Sequence, residues 1–398
     1  MFKPDSLALT TLLGLLSAIG PLSTDMYLPS MPDIAVTLRA STAQVQLTIS
    51  CYLIGFALGQ IVYGPLSDRY GRKPVLMVAV SLYCVATALC TAATSIELLI
   101  AARGLQALGG CGAIVLARAI VRDLYVGARA GREMAVIAMV MALAPLVAPL
   151  IGGVLQTWFG WRAVFVVQML IGLEAVAMVW WFLPETLQHR AAERVSPLSV
   201  LRSYRVIARD RSYLAHLGLV TLAYSGLFVW LSGSSFVLQD LYGLAPTPFG
   251  VVFALGSLGF LAGTALAARF VVRSGLGAII GAGCVALAAG GLIMAAVTAA
   301  GLAGPLTLVG GAAVYLLGLG LMLPQATAAA LMPFPQRAGA ASSLVGFVQQ
   351  TVASVSGALV GMWLGASAWP LAAPMALFGC AALLLWALTR RVRAAVTH

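Results

Sequence analysis

Charge is what this 398-residue sequence lacks: Asp, Glu, Lys and Arg together supply 9% of it. Histidine is scarcer still, and His189, His216 and His398 stand in no spacing that suits a metal or an acid–base pair. No G-x-x-x-x-G-K-[ST] loop occurs, which removes the usual phosphate cradle and with it ATP as a driving force. The six cysteines, Cys51, Cys84, Cys90, Cys111, Cys284 and Cys380, lie in apolar runs without metal-ligand spacing and read as small packing residues. A membrane-embedded enzyme therefore has little to be built from, and the expectation is a chain with no catalytic site, no metal and no cofactor.

What the sequence has is apolar length. Hydrophobic residues make 61% of it and the mean hydropathy is +1.00, against roughly 45–50% apolar usage in soluble domains. A helix crosses the hydrocarbon core with about 20 residues. Twelve such runs recur, near 7–29, 42–66, 74–95, 97–121, 133–156, 161–183, 213–239, 247–269, 277–299, 304–331, 338–364 and 368–389. The first follows a single Lys3, contains Asp25 and runs into Pro29 and Pro32 without a small-residue cleavage pattern, so it is expected to be a span and not a secretory leader.

The net charge of +11 would suggest nucleic acid in a soluble protein. Its distribution points elsewhere. With both termini cytoplasmic, every basic residue except Arg39, Arg162, Arg103 and Arg118 falls on an inside segment, as the positive-inside rule requires. Arg39 and Arg162 fall outside, and Arg103 and Arg118 lie within the fourth run. No basic patch is left over for DNA or RNA.

One sizeable hydrophilic segment, from Pro184 to Ser212, divides the runs six and six. The expected domains are an N-terminal six-helix bundle over 1–183, a cytoplasmic linker over 184–212 and a C-terminal six-helix bundle over 213–398. "GPLSDRYGRKP" (Gly64–Pro74), after the second run, has a worn counterpart in "ARFVVRSGLGA" (Ala268–Ala278), after the eighth. An echo between halves is what a transporter built from internal repeats leaves behind.

Gly64–Pro74 also resembles the loop between the second and third helices of the major facilitator superfamily, with Gly64, Leu66, Asp68, Arg69, Gly71, Arg72 and Lys73 matching its pattern. "RGLQALGG" (Arg103–Gly110) and "APLVAPLIGG" (Ala144–Gly153) are similar to the fourth-helix motif and the fifth-helix antiporter motif of its drug:proton antiporters, with Ala148 where many members have glycine. "STDMYLPSMP" (Ser23–Pro32), "ARAIVRDLY" (Ala117–Tyr125) and "LPET" (Leu183–Thr186) narrow the resemblance to the bicyclomycin and chloramphenicol resistance branch, Bcr/CflA. The sharp motifs all lie in the first half.

The resemblance implies an all-α polytopic membrane protein with twelve transmembrane helices in two six-helix bundles around a central cavity. It implies a cytoplasmic gate of Asp68, Arg72 and Asp123 that holds one conformation shut, flanked by Arg69, with Gly64 and Gly71 allowing close approach and a tight turn. Pro145, Pro149, Gly152 and Gly153 would make the antiporter-motif helix kinked and thin on one side, a hinge and tight contact at the domain interface.

Charges inside spans are costly and mark ion pathways. Asp25 and Arg103 both fall roughly 27 Å from the inner face at about 1.5 Å per residue. At that shared depth Asp25 is the expected proton carrier and Arg103 its electrostatic partner. A static salt bridge between two helices is the competing reading. Glu174, near midplane on the sixth helix, is a candidate second carboxylate that otherwise faces a crevice, and Arg118 is placed to snorkel and anchor. Substrate-cavity candidates are Tyr52, Gln60, Gln106, Tyr224, Phe228, Trp230, Phe236, Tyr315, Gln325, Phe347 and Gln349, a mostly aromatic set with a few amides.

The function implied is proton-coupled antiport, by alternating access, of small hydrophobic or amphipathic compounds such as antibiotics. The alternative is a proton-coupled uptake or metabolite carrier of the same fold. The expected partners are the lipid bilayer, a drug-like small molecule and protons as coupling ion, with no nucleic acid. The chain is expected to act as a monomer in the bacterial inner membrane.

Overall fold

The computed structural model describes residues 7–125, 127–187, 197–365, 367–390 and 392. Of the linker expected over 184–212, residues 188–196 lie outside the described set, as do Lys3, Arg391, Arg393 and His398. The chain divides into two compact units, Met1–Val195 and Ser196–His398.

The first unit runs α1 (Leu7–Asp25), a 3-10 turn (Leu28–Ser30), α2 (Met31–Thr37), α3 (Thr42–Tyr70), α4 (Arg72–Thr91), α5 (Ile96–Leu124), α6 (Gly127–Phe159) and α7 (Trp161–Phe182). Helix is what a bilayer demands, since it satisfies backbone donors and acceptors within the segment. The ends are fixed locally. Ser41 and Gln44 form a capping box at α3, the Ser41 Oγ accepting the Gln44 N–H and the Gln44 Oε1 accepting the Ser41 N–H. Ser95 caps α5 through the Leu98 N–H. Gly71, at φ 104°, ends α3 and turns the chain directly into α4.

α5 packs against α3 and α4, and α1 against α6, α5 and α7. Leu12, Leu16, Leu76, Val80, Leu116 and Ile120 form the apolar centre of this unit.

The second unit runs α8 (Pro197–Ile207), α9 (Arg211–Phe236) with a π-helical extension (Val237–Leu241), α10 (Pro246–Ala299), α11 (Pro305–Leu331), a 3-10 turn (Pro335–Arg337), α12 (Ala338–Trp363) and α13 (Trp369–Leu388). Asp210 caps α9 by accepting the Tyr213 N–H over 2.7 Å. α10 packs along α11 and α13, while α9 lies against α11, α12 and α13.

Ten of these helices have the length and apolarity to cross a membrane. α10 is two helical stretches joined at Gly275, where φ is 78°, and α1, 19 residues long, lies where the first of the twelve spans is expected. Three details differ from the sequence reading. The first run ends at Asp25 and is followed by the 3-10 turn and α2, because Pro29 and Pro32 favour a restart over continuation. α6 starts at Gly127, six residues before the expected boundary, which places Glu133 inside a helix. α8 occupies part of the expected linker.

Candidate functional site

Arg103 is fully buried on α5. Its guanidinium lies over the rings of Tyr52 at 4.4 Å and Tyr27 at 4.7 Å, with Phe165 at 5.9 Å. Nη1 donates to the Ser23 carbonyl at 2.9 Å and to Gln106 Oε1 at 2.6 Å. The Gln106 amide donates in turn to Thr87 Oγ1 and to Gln168 Oε1, and the Gln168 amide reaches the Leu22 carbonyl. Ser23 Oγ and Tyr83 Oη sit 2.8 Å apart. A buried cation is thus held by aromatic faces and neutral acceptors from α1 and α5, backed by α4 and α7. Its Nε and Nη2 have no hydrogen-bond partner among the described residues.

Asp25, the last residue of α1, is buried, and its Oδ1 accepts the Thr24 hydroxyl at 2.9 Å. The Arg103 bond to Ser23 puts the two charges at one level, as their depths predict. No ion pair joins them. The competing static salt bridge is therefore absent, and Arg103 reaches α1 through a backbone carbonyl two residues before Asp25 while the tyrosine rings flank its guanidinium.

At the other end of this unit Arg72 clasps two carboxylates. Nε donates to Asp123 Oδ2 at 2.8 Å, while Nη1 pairs with Asp68 Oδ1 and donates to Ser67 Oγ. A planar fork suits such bridging. The structure brings Asp68, Arg72 and Asp123 together, and the sequence reading missed what completes them. Glu185, from "LPET", accepts the backbone N–H of Arg72 at 2.8 Å and of Lys73 at 3.2 Å, which caps α4 with an anion. Thr186 Oγ1 donates to Asp123 Oδ2 at 3.3 Å. Lys73 Nζ donates to the Trp180 carbonyl. A side chain at Gly71 would collide with the Glu185 carboxylate. Arg69 lies outside the clasp, stacked on Tyr70. Gly64 has no neighbour within 4 Å of where a Cβ would stand, so the close approach expected of it is absent among the described residues.

α6 stays one helix through Pro145 and Pro149. Its thin side meets its own unit: a Cβ on Gly152 would strike the Met26 carbonyl, and Ala148 is fully buried with Met26 and Val164. Gly153 is buried beside it, its carbonyl accepting the Thr157 hydroxyl. Within its own unit this side of α6 makes a tight contact with the turn after α1. Two further contacts were missed. Gln156 donates to Asp33 Oδ2 at 2.9 Å, and Thr10 Oγ1 donates to Glu133 Oε2 at 2.9 Å, tying α6 to α2 at one end and to α1 at the other. Glu133 is buried and escaped notice because its helix was expected to begin there.

Glu174 is exposed on α7, in the outward stripe of Leu170, Leu173 and Trp181, without a partner among the described residues. A place in the buried polar network is not what it has. Arg118 is exposed on α5 and touches Met141 Sδ at 3.4 Å.

Of the cavity candidates, Tyr52 and Gln106 join Arg103, while Gln60 lies about 12 Å farther along α3. In the second unit Tyr224 and Phe228 pair at 4.9 Å. Trp230, two residues on and so on another face of α9, stacks on Phe253 and is fully buried. Tyr315 is also fully buried, donating to the Ala223 carbonyl at 3.3 Å. Phe236 is buried as well, so these three belong to the packing of the unit. Gln325, Phe347 and Gln349 are half-buried.

Apolar helices long enough to span, enclosing a buried, hydrogen-bonded arginine and a charge clasp at helix ends, make a multi-pass membrane protein. The fold is similar to that of a D-xylose-proton symporter, with a TM-score of 0.75 at 14% identity over 96% of each chain.

The chain belongs to the Major Facilitator Superfamily, whose family model matches residues 13–357. It is 35% identical to the uncharacterized MFS-type transporter YdgK of Bacillus subtilis, over 90% of this chain and 89% of that one. It is 33% identical to the bicyclomycin resistance protein homolog of Haemophilus influenzae, over 87% of both. The resemblance to the Bcr/CflA branch drawn from the motifs agrees with these relatives.

Proposed function

We propose that the protein is a proton-coupled antiporter that exports small hydrophobic or amphipathic compounds, antibiotics among them, across the bacterial inner membrane. The observation that carries this is the buried Arg103 cluster at the level of Asp25: a cation and a carboxylate deep in apolar surroundings, held close without being paired. Names given to its relatives for antibiotic resistance support the export reading.

Asp25 takes a proton from outside and releases it inside. Arg103 biases that exchange through the field it projects past Ser23, and because no salt bridge has to break, protonation and substrate entry alternate at modest cost. The clasp of Asp68, Arg72 and Asp123 serves as the cytoplasmic gate, with both termini on the same side, and the chain works as a monomer. Tyr52 and Gln106, both buried against Arg103, hold its guanidinium in place for its role in that exchange.

The test is transport by the purified protein in liposomes with an imposed pH gradient, using amphenicol, bicyclic and cationic compounds and a lumenal pH reporter. Compound moving against the proton flow, with coupling lost in Asp25→Asn, is the expected result. Compound and protons moving together would establish the uptake carrier instead, and coupling retained in Asp25→Asn would remove Asp25 from the mechanism.

A further inference from the structure

From Ser196 onward the sequence has ten arginines, no lysine, and only two acids, Asp210 and Asp240. Asp210 is engaged in capping α9. Asp240 lies thirty residues later, at the far end of α9 and its extension, about 45 Å away at 1.5 Å per residue. The arginines at the near end therefore face almost no competing anion within their own unit.

α8 arranges three of them. Its buried Ile207 packs inward, and the helix lies against α12. Arg202 and Arg205 are exposed, as is Arg209 in the turn that follows. Spacings of three and seven residues put all three on one side at about 100° per residue. Val206, 43% exposed, sits among them. Arg211 opens α9, and exposed Leu214 follows one turn into the span. Arg337, at the foot of α12, is exposed too. Among the described residues none of these five arginines makes an ion pair.

We propose that this face binds the phosphodiester headgroups of anionic phospholipid. The occupant follows from the placement. α8 stops four residues before a membrane-crossing helix begins, so its outward side lies at headgroup level, where an apolar Val206 flanked by arginines matches the boundary between acyl chain and phosphate. Sidedness alone is satisfied by lysine as well as arginine. A guanidinium fork instead offers two parallel N–H groups to one phosphate, which an ammonium does not. The inference requires that these helices cross a bilayer and is independent of what the protein carries.

Native mass spectrometry and thermal melts of the purified full-length protein, with phosphatidylglycerol or phosphatidylcholine added, test it. Wild type is expected to retain phosphatidylglycerol and to melt higher with it, and Arg202→Gln/Arg205→Gln/Arg209→Gln to lose affinity by roughly fivefold per arginine. Equal retention of phosphatidylglycerol by wild type and variant overturns the assignment, as does full displacement by millimolar inorganic phosphate, which would make it a free-phosphate site. Should the glutamine variant fail to insert, Arg202→Lys/Arg205→Lys/Arg209→Lys takes its place, because it keeps the charge that orients the chain. Weakened lipid retention by it supports the proposal and undiminished retention overturns it.

Discussion

Glu185 accepts the backbone N–H groups of Arg72 and Lys73, so the end of α7 holds the beginning of α4. Replacing it by Ala leaves the first turn of α4 without an anion. The expected loss is about 1 kcal/mol, read as a lower melting temperature of the purified protein, together with slower export. Glu185→Gln keeps an acceptor and should fall between the two. An unchanged melt for the alanine variant would show that the cap contributes nothing.

Gly152 and Gly64 make opposite predictions. Gly152→Ala drives a methyl into the Met26 carbonyl, and overpacking of this kind costs about 1–3 kcal/mol. Gly64→Ala meets open space and should melt and transport like wild type. Growth in the presence of drug, measured beside expression level, separates them.

Among the described residues, the Thr10 hydroxyl is the hydrogen-bond donor to the buried Glu133 carboxylate. Thr10→Val removes that donor and is expected to destabilise the unit by about 1–3 kcal/mol. Thr10→Ser should restore most of it, and pairing Thr10→Val with Glu133→Leu should cost less than their sum. Additive losses in that double-mutant cycle would deny the contact an energetic role.

The Arg103 guanidinium lies against the faces of Tyr27 and Tyr52. Arg103→Lys keeps the cation yet loses the planar face, so export should fail in protein that inserts normally. Tyr52→Phe keeps the ring and should export, whereas Tyr52→Ala should not. Vesicle transport normalised to inserted protein decides, and full activity in Arg103→Lys would reduce the site to simple charge.

Glu174 points outward on α7. Glu174→Gln is accordingly expected to leave the proton-to-drug ratio unchanged in liposomes, with transport within about twofold of wild type as for an ordinary exposed substitution. A changed ratio would return it to the coupling machinery.

Much of this was legible in advance for reasons that are physical. Span length and apolarity fix where helices cross, and the pairing of Asp68 with Arg72 was legible because an acid and a base four residues apart lie within reach of each other. What escaped was contact chemistry across sequence distance. "LPET" marked a likeness without revealing that Glu185 caps a helix begun 113 residues earlier. Depth along two helices put Asp25 and Arg103 at one level, but depth carries no azimuth, so it could not show that tyrosine faces would take the guanidinium. Nor could composition tell a packed Tyr315 from one lining a cavity. Glu133 was hidden by a helix boundary misplaced by less than two turns.

The seam between Gly152 and the Met26 carbonyl has a genetic consequence. Every single-nucleotide missense change of a glycine codon installs a residue with a Cβ, and at position 152 that atom has only the carbonyl to occupy. The position therefore has no silent neighbours in protein sequence. Drug pressure can remodel the surfaces that meet cargo, while this point of the antiporter helix stays where it is.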